Sequence, residues 1–224
     1  MQLCLYDVHG NLPALEAVLD DAGPVDGYVM GGDYALFGGW PGETMARLRE
    51  LTPAVWVRGN CDRWTADRES EHESLAPAIE LTAAELGDDA AAELGTLPLT
   101  VEDGATLICH ASPVSDERSF FPAPRDDEAE LLAGVTARRL LFGHTHLPFV
   151  RVADGIELVN PGSVGTPLDG DPRAAYAVIH DDGRVEHRRV EYDHRASAAK
   201  VRAFGGEWAE VIARRIERAE VEPS

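Results

Sequence analysis

Gln2-Leu3-Cys4-Leu5-Tyr6-Asp7-Val8-His9-Gly10-Asn11 is an apolar run that stops on two polar side chains one residue apart. Gln2 to Tyr6 reads as a buried strand ending at Asp7. Gly10-Asn11 is a turn, and Leu12 to Asp21 is helical, with Leu12, Leu15, Val18 and Leu19 at helical spacing. The same grammar repeats downstream. Tyr28 to Met30 is a short strand ending in Gly31-Gly32-Asp33. Glu43 to Leu51 is helical, and Pro53 separates it from a strand over Ala54 to Val57. Strand and helix alternating at this pitch predict an α/β protein with at least one mostly parallel sheet.

The strand ends carry the chemistry. Asp7-Val8-His9, Gly32-Asp33, Gly59-Asn60-Cys61-Asp62, an isolated His110 and Gly143-His144-Thr145-His146 each follow an apolar run. Period-two geometry sends Asp7 and His9 the same way, so both can serve one ion. The two oxygens of Asp33 suit a bridge between ions, and the Asn60 side-chain oxygen is a neutral ligand for a hard cation. Two imidazoles one residue apart after a glycine, His144 and His146, match a metal-binding tip. Each piece alone has a plainer reading: a strand-end Asp, a loop-capping Asp, a Gly-Asn turn, a structural His. Their joint occurrence, each beyond a strand, points to chemistry placed past the carboxyl ends of strands. Oxygen and imidazole ligands suit Mn, Fe, Ni, Co or Zn, with manganese favoured, and two such ions are a device for attacking phosphate esters. Cys61 has no second thiolate near it and reads as adjoining the ligands without joining them. Asp62 is placed to hold a ligand imidazole in its tautomer. His72, His180, His187 and His194 lack this context.

Composition narrows the function classes. Forty acidic residues face 20 basic ones among 224, a formal charge of -20, and Lys200 is the one lysine. Such a surface repels a phosphate backbone, so broad nucleic-acid binding is not expected. Cys4, Cys61 and Cys109 are odd in number and lack disulfide-like spacing, which fits a reducing compartment. Neither a basic, apolar leader nor a run of membrane-spanning length is present. The expectation is a cytoplasmic protein without membrane contact, acting on a small phosphate ester. A homo-oligomer is compatible with the sequence.

The middle and the carboxy-terminal half read differently. Ala66 to Gly95 suggests two or three short helices capping the site. Leu99 to Val101 and Thr106 to Cys109 form a hairpin. A long loop, Ala111 to Arg125, carries Phe120-Phe121, and Arg58, Arg118 and Arg125 are candidate phosphate contacts. Glu128 to Gly134 is helical and Arg139 to Phe142 is a strand. Four further strands, Phe149 to Val152, Ile156 to Val159, Ala175 to Ile179 and Arg184 to Glu191, read as a meander forming a largely antiparallel sheet. Asn160-Pro161-Gly162-Ser163 is a rigid turn behind His146. Helices close the chain over Ala196 to Phe204 and Glu207 to Ala219. No repeat or long linker divides residues 1–224, which read as one domain.

The ordered set resembles the calcineurin-like metallophosphoesterase superfamily, whose pattern is D-x-H, G-D, G-N-H-[DE], a lone H and G-H-x-H. Cys61 stands where many members have histidine. That Gly-Asn-Cys-Asp variant is similar to the small prokaryotic phosphodiesterase branch. So is the tail, Asn160-Pro161-Gly162-Ser163-Val164-Gly165 with Asp169-Gly170-Asp171-Pro172. The resemblance covers roughly Met1 to Glu191. It implies a four-layer α-β-β-α sandwich of two mixed sheets. It implies one metal on Asp7, His9, Asp33 and His146 and a second on Asp33, Asn60, His110 and His144, Asp33 bridging. The implied reaction is attack of a metal-bridging hydroxide on a phosphodiester, with His9, Asn60 and Asp62 assisting. A phosphomonoesterase with the same site is the alternative enzyme, with the Ala111 to Arg125 loop deciding between them. A binding protein that keeps the metals without turnover is the non-enzymatic one.

Overall fold

The computed structural model describes residues 1–221. Along the chain run β1 (Gln2–Leu5), α1 (Leu12–Ala22), β2 (Gly27–Met30), α2 (Pro41–Glu50), β3 (Ala54–Trp56) and α3 (Asn60–Asp67). A 3-10 turn, Glu73–Leu75, leads into α4 (Ala76–Leu86) and α5 (Asp88–Thr96), then β4 (Thr100–Asp103), β5 (Thr106–Cys109), α6 (Glu128–Leu131) and β6 (Arg139–Leu141). The remainder is β7 (Phe149–Ala153), β8 (Ile156–Asn160), β9 (Ala174–Ile179), β10 (Val185–Val190), α7 (His194–Arg202) and α8 (Gly206–Arg218).

Two mixed five-stranded sheets result, ordered β10-β9-β1-β2-β3 and β4-β5-β6-β8-β7. In the first, β1, β2 and β3 are parallel, and β9 lies antiparallel to β1. In the second, β5, β6 and β8 are parallel, with β4 and β7 antiparallel at the edges. Alternation along β1 shows why the sheets stack. Cys4 and Tyr6 face Ile108, Leu141 and Val159 of the other sheet, while Leu3 and Leu5 face Leu15 and Val18 of α1 and Leu48 of α2. The far face of the second sheet packs Leu140, Phe142 and Leu158 against Phe120 and Leu131. These are the four layers, helices outside and sheets inside.

Two sequence expectations, and one of the plainer alternative readings, are corrected. The carboxy-terminal strands do not form one meander: β7 and β8 complete the second sheet, and β9 and β10 cross to the first. β9 is buried on both faces through Val178, so a central slot beside β1 satisfies it better than an edge. Gly59-Asn60 is not a free turn but the start of α3, with Gly59 at its N-cap. The helix expected over Glu128 to Gly134 stops at Leu131.

Candidate metal centre

All seven candidate ligands stand beyond strand ends. Asp7 and His9 follow β1, Asp33 follows β2, Asn60 follows β3, His110 follows β5, and His144 and His146 follow β6. Backbone bonds lock the tips together. Asp7 N–H donates to Gly32 O (3.2 Å), His9 N–H to Asp33 O (2.9 Å) and Gly143 N–H to His110 O (2.7 Å). Five of the seven, Asp7, His9, Asp33, His144 and His146, adopt positive φ between 48° and 64°. Such a conformation costs on the order of 1 kcal/mol each for a non-glycine residue and persists where surroundings over-determine it. Strain of this kind concentrated at one place marks a functional site.

The side chains meet through lone pairs. His9 Nδ1 donates to Leu36 O (3.0 Å), His110 Nδ1 to Gly31 O (2.8 Å) and His146 Nδ1 to Thr166 O. A carbonyl only accepts, so each Nδ1 carries a proton, and in the neutral form that ligates a metal each ring turns its Nε2 lone pair inward. Yet His9 Nε2 and His146 Nε2 lie 3.2 Å apart, and His110 Nε2 lies 3.1 Å from Asn60 Oδ1. Asp33 Oδ2 is 3.5 Å from His110 Nε2 and 3.8 Å from His9 Nε2. Asp7 Oδ1, 3.4 Å from His146 Nε2 and 3.9 Å from His110 Nε2, is buried with no hydrogen-bond partner among the described residues. His144 joins through Nδ1, 3.0 Å from Asn60 Oδ1, and its backbone N–H donates to Asp7 Oδ2 (3.0 Å). Acceptors facing acceptors in a buried site repel unless a cation stands among them. The donor set therefore fits divalent ions. Three triads converge, each with donor atoms within 4.8 Å: Asp7-His9-His146, Asp7-Asp33-His110 and His9-Asp33-Cys61. Asp33 and Asp7 both reach toward each side, so Asp7 is less confined to one ion than the sequence suggests.

The charges of the protein's own groups point the same way. Burial disfavours a charged His110 ring, but the Asp33 and Asp7 carboxylates outweigh it and raise its pKa to about 10. Burial likewise opposes a protonated His146, and Asp7 outweighs it. His9 is lowered, first by burial and then by the positive His146. His144 is lowered to about 4 by burial and by His110. The Asn60 amide can also turn its NH2 toward His144 Nδ1 (3.0 Å) and His110 Nε2 (3.1 Å).

Asp62 does not hold an imidazole, which corrects the expectation for it. Its carboxylate accepts from the backbone N–H groups of Asp33 (2.8 Å), Tyr34 (3.1 Å) and Gly59 (2.8 Å). Burial and the neighbouring Asp33 charge raise its pKa to about 7. It ties the β2 tip to the α3 start. Cys61 N–H donates to Asp33 Oδ1 (2.9 Å), and burial, then the Asp33 charge, pushes the Cys61 thiol well above its usual pKa. Its sulfur nevertheless lies within reach of a cation shared with His9 and Asp33, closer than the sequence reading placed it. The Asn160 to Ser163 turn stands behind Asp7 and the Gly143-Thr145 tip: Ser163 Oγ donates to Asp7 O (2.8 Å) and Asn160 Nδ2 to Gly143 O (2.9 Å).

The centre opens into a cavity of about 410 Å³ walled by His9, Asp33, Asn60, Cys61, Trp64, His72, Ser74, Leu75, His144, His146, Leu168, Ile212 and Arg215, with Phe37 and Thr166. The loop from Ala111 to Arg125 contributes nothing to that wall. Arg118 pairs with Glu130 (2.8 Å), Arg125 stacks on Phe121 (3.2 Å), and Arg58 donates to Gly95 O (3.0 Å). His72 and Arg215, which no local pattern singles out, line the cavity instead. A basic residue in the last turn of an amphipathic helix was the one available signal for Arg215.

The chain matches the model of the calcineurin-like phosphoesterase superfamily domain over residues 1–184. It belongs to that superfamily. It is 30% identical to an uncharacterised protein, MJ0912, of Methanocaldococcus jannaschii, over 88% of this chain and 90% of that one. With phosphodiesterase YfcE of Escherichia coli it shares 28% identity over 79% of this chain and 85% of the relative. A metallophosphoesterase structure from Sphaerobacter thermophilus superposes with a TM-score of 0.85 at 32% identity, covering 97% and 98% of the two chains. Protein PH1004 of Pyrococcus horikoshii superposes at 0.84 over 99% and 100%, at 20% identity, a likeness of fold. The clustered triads are of the kind a dinuclear centre in this superfamily uses. Among the described residues no helix is long and apolar enough to cross a membrane.

Proposed function

We propose that this chain is a dinuclear metal-dependent phosphodiesterase of the Gly-Asn-Cys-Asp branch. The observation that carries the reading is the inward-facing set of lone pairs, with His9 Nε2 and His146 Nε2 3.2 Å apart and Asp7 Oδ1 unpartnered. Asp7, His9, Asp33 and His146 would hold one ion, and Asp33, Asn60, His110 and His144 the other. When bound, the ions supply a water of lowered pKa and positive charge for the phosphoryl oxygens. The chain's own residues do the rest. His9, fixed by Leu36 O, faces the cavity. Asn60 presents its amide at the same mouth. Asp62 is a positioning residue, holding the Asp33 and Gly59 backbones. Manganese is the metal we favour for this oxygen and imidazole set.

Diester preference rests on charge. Among the described residues Arg215 is the one guanidinium on the cavity wall, and a chain of net charge -20 receives a singly charged diester more readily than a dianionic monoester. Cys61 adds to this. A thiol held protonated by burial is a poorer acid than an imidazole, so leaving groups that need no proton are favoured. The name of the Escherichia coli relative, a phosphodiesterase, agrees. Three free, buried cysteines support a reducing compartment, the cytoplasm.

The test is hydrolysis of bis(p-nitrophenyl) phosphate and p-nitrophenyl phosphate after chelation and reloading with Mn, Ni, Co or Zn. Metal-restored diesterase activity above monoesterase activity is expected. A higher rate on the monoester would select the phosphomonoesterase reading, and bound metal without turnover the binding protein.

A further inference from the structure

The metal cavity does not end at the metal ligands. Ser74, Leu75, Ile212 and Arg215 line both it and a second cavity of about 680 Å³. That groove runs between the amino-terminal end of α4 and helix α8. Its walls are apolar: Leu81 and Pro77 on one side, Phe204, Trp208 and Val211 on the other. Phe204 and Trp208 stack at 6.1 Å with 20° between their rings. Among the described residues the charged side chains of the groove are Glu207 and Arg215. Arg215 stands on the stretch shared with the metal cavity. Helix α8 lies beyond residues 1–184, the part matched to the superfamily, so family membership alone does not imply this wall.

We propose that the groove binds a large apolar arm of the phosphodiester whose phosphate sits at the metal centre; this rests on the diesterase reading above. Three observations select that occupant. The groove is continuous with the site through four shared residues, so one molecule can fill both. Its lining is mainly hydrocarbon and aromatic, which rewards burial of an apolar group over a sugar chain. The acidic chain repels polyanions, which disfavours nucleic acid and polyphosphate as the occupant. Each cavity, about 410 and 680 Å³, is by itself of the size of a small-molecule pocket. The substrate class is thus a phosphodiester with one bulky hydrocarbon or aromatic substituent.

The experiment separates this proposal from the activity on which it rests. Dimethyl and dihexyl phosphate, whose alkoxide leaving groups resist hydrolysis, are titrated into the manganese-loaded protein by calorimetry. Methyl and hexyl p-nitrophenyl phosphate are compared in turnover. Dihexyl phosphate is expected to bind at least about tenfold tighter than dimethyl phosphate, and the hexyl arm to raise kcat/KM by a similar factor through KM. Both ratios should fall toward one in Leu81→Gln and in Val211→Gln, half-buried positions on opposite walls; a ratio needs only the folded fraction. Equal binding of the two diesters overturns the proposal. Equal binding together with a dimer that dissociates in Val211→Gln overturns it in favour of a second copy as occupant. A preserved hexyl preference in binding with no turnover of any diester overturns the diesterase reading and upholds the groove.

Discussion

Gly59→Ala tests whether the Asp33 carboxylate is held where the chemistry needs it. Gly59 has an ordinary negative φ of -91°, so an alanine there meets no backbone strain. Its Cβ would instead stand 2.1 Å from Asp33 Oδ1 and 2.6 Å from Asp33 N. Ordinary contact begins at 3.4 Å, so the carboxylate or the α3 start must move by about 1 Å or more. Neither is free to move. Asp33 Oδ1 accepts from Cys61 N–H at 2.9 Å, and Asp62 ties Gly59 N–H and Asp33 N–H at 2.8 Å each. A misplacement of about 1 Å costs on the order of 10²-fold in rate, equivalent to about 2.7 kcal/mol of barrier. Overpacking in so tight a place costs about 1–3 kcal/mol of stability as well. The assay is kcat/KM on bis(p-nitrophenyl) phosphate at saturating manganese, with metal content and urea unfolding on the same samples. Gly42→Ala is the control, since its Cβ would stand an ordinary 3.5 Å from Glu85 O. A Gly59→Ala protein with wild-type turnover and two metals per chain would refute the reasoning.

Three more outcomes are expected. Asp33→Asn should lower kcat/KM by about 10³-fold or more at saturating metal, and by more than His9→Ala, because Asp33 Oδ2 faces both His9 and His110; near wild-type kinetics for Asp33→Asn would count against a bridging role. Cys61→Ser should keep both metals and most diesterase activity, whereas Cys61→His should improve hydrolysis of an alkyl monoester by up to about 10²-fold; loss of one metal equivalent from Cys61→Ser, seen by elemental analysis, would make Cys61 a ligand. The chelator-treated chain should lose stability with rising pH. His110 is raised from 6.5 to about 10, so its contribution is full below pH 6.5 and disappears as pH rises through about 10. Metal loading near pH 7.5 should release a proton from it, measurable by calorimetry in buffers of different ionisation enthalpy, and no dependence on the buffer would contradict the assignment.

How much was legible follows the range of the forces involved. Strand-tip motifs are local: an apolar run, a glycine and a polar side chain sit within ten residues, so Asp7, His9, Asp33, Asn60, His110, His144 and His146 could be picked out as candidate ligands before any contact was known. The same locality placed β1 to β3 and the β4–β5 hairpin. It misled at Asp62, because a carboxylate two residues past Asn60 looks like a partner for an imidazole until the backbone amides of Asp33 and Tyr34 are seen to reach it first.

The sequence by itself determined the α/β class, the order of the tips and the types of donor atom, since periodicity and turn chemistry act between near neighbours. Only the tertiary structure decided which sheet β9 and β10 join, because hairpin signals specify an adjacent partner and not the sheet that a both-sides-buried strand completes. Only it showed the three Nε2 lone pairs turned inward, an orientation set by carbonyls of Gly31, Leu36 and Thr166 that lie 20 to 79 residues away from their rings. And only it brought Arg215 and the apolar face of α8 to the mouth of the site. That placement arises from packing between sequence-distant surfaces, which no local pattern encodes.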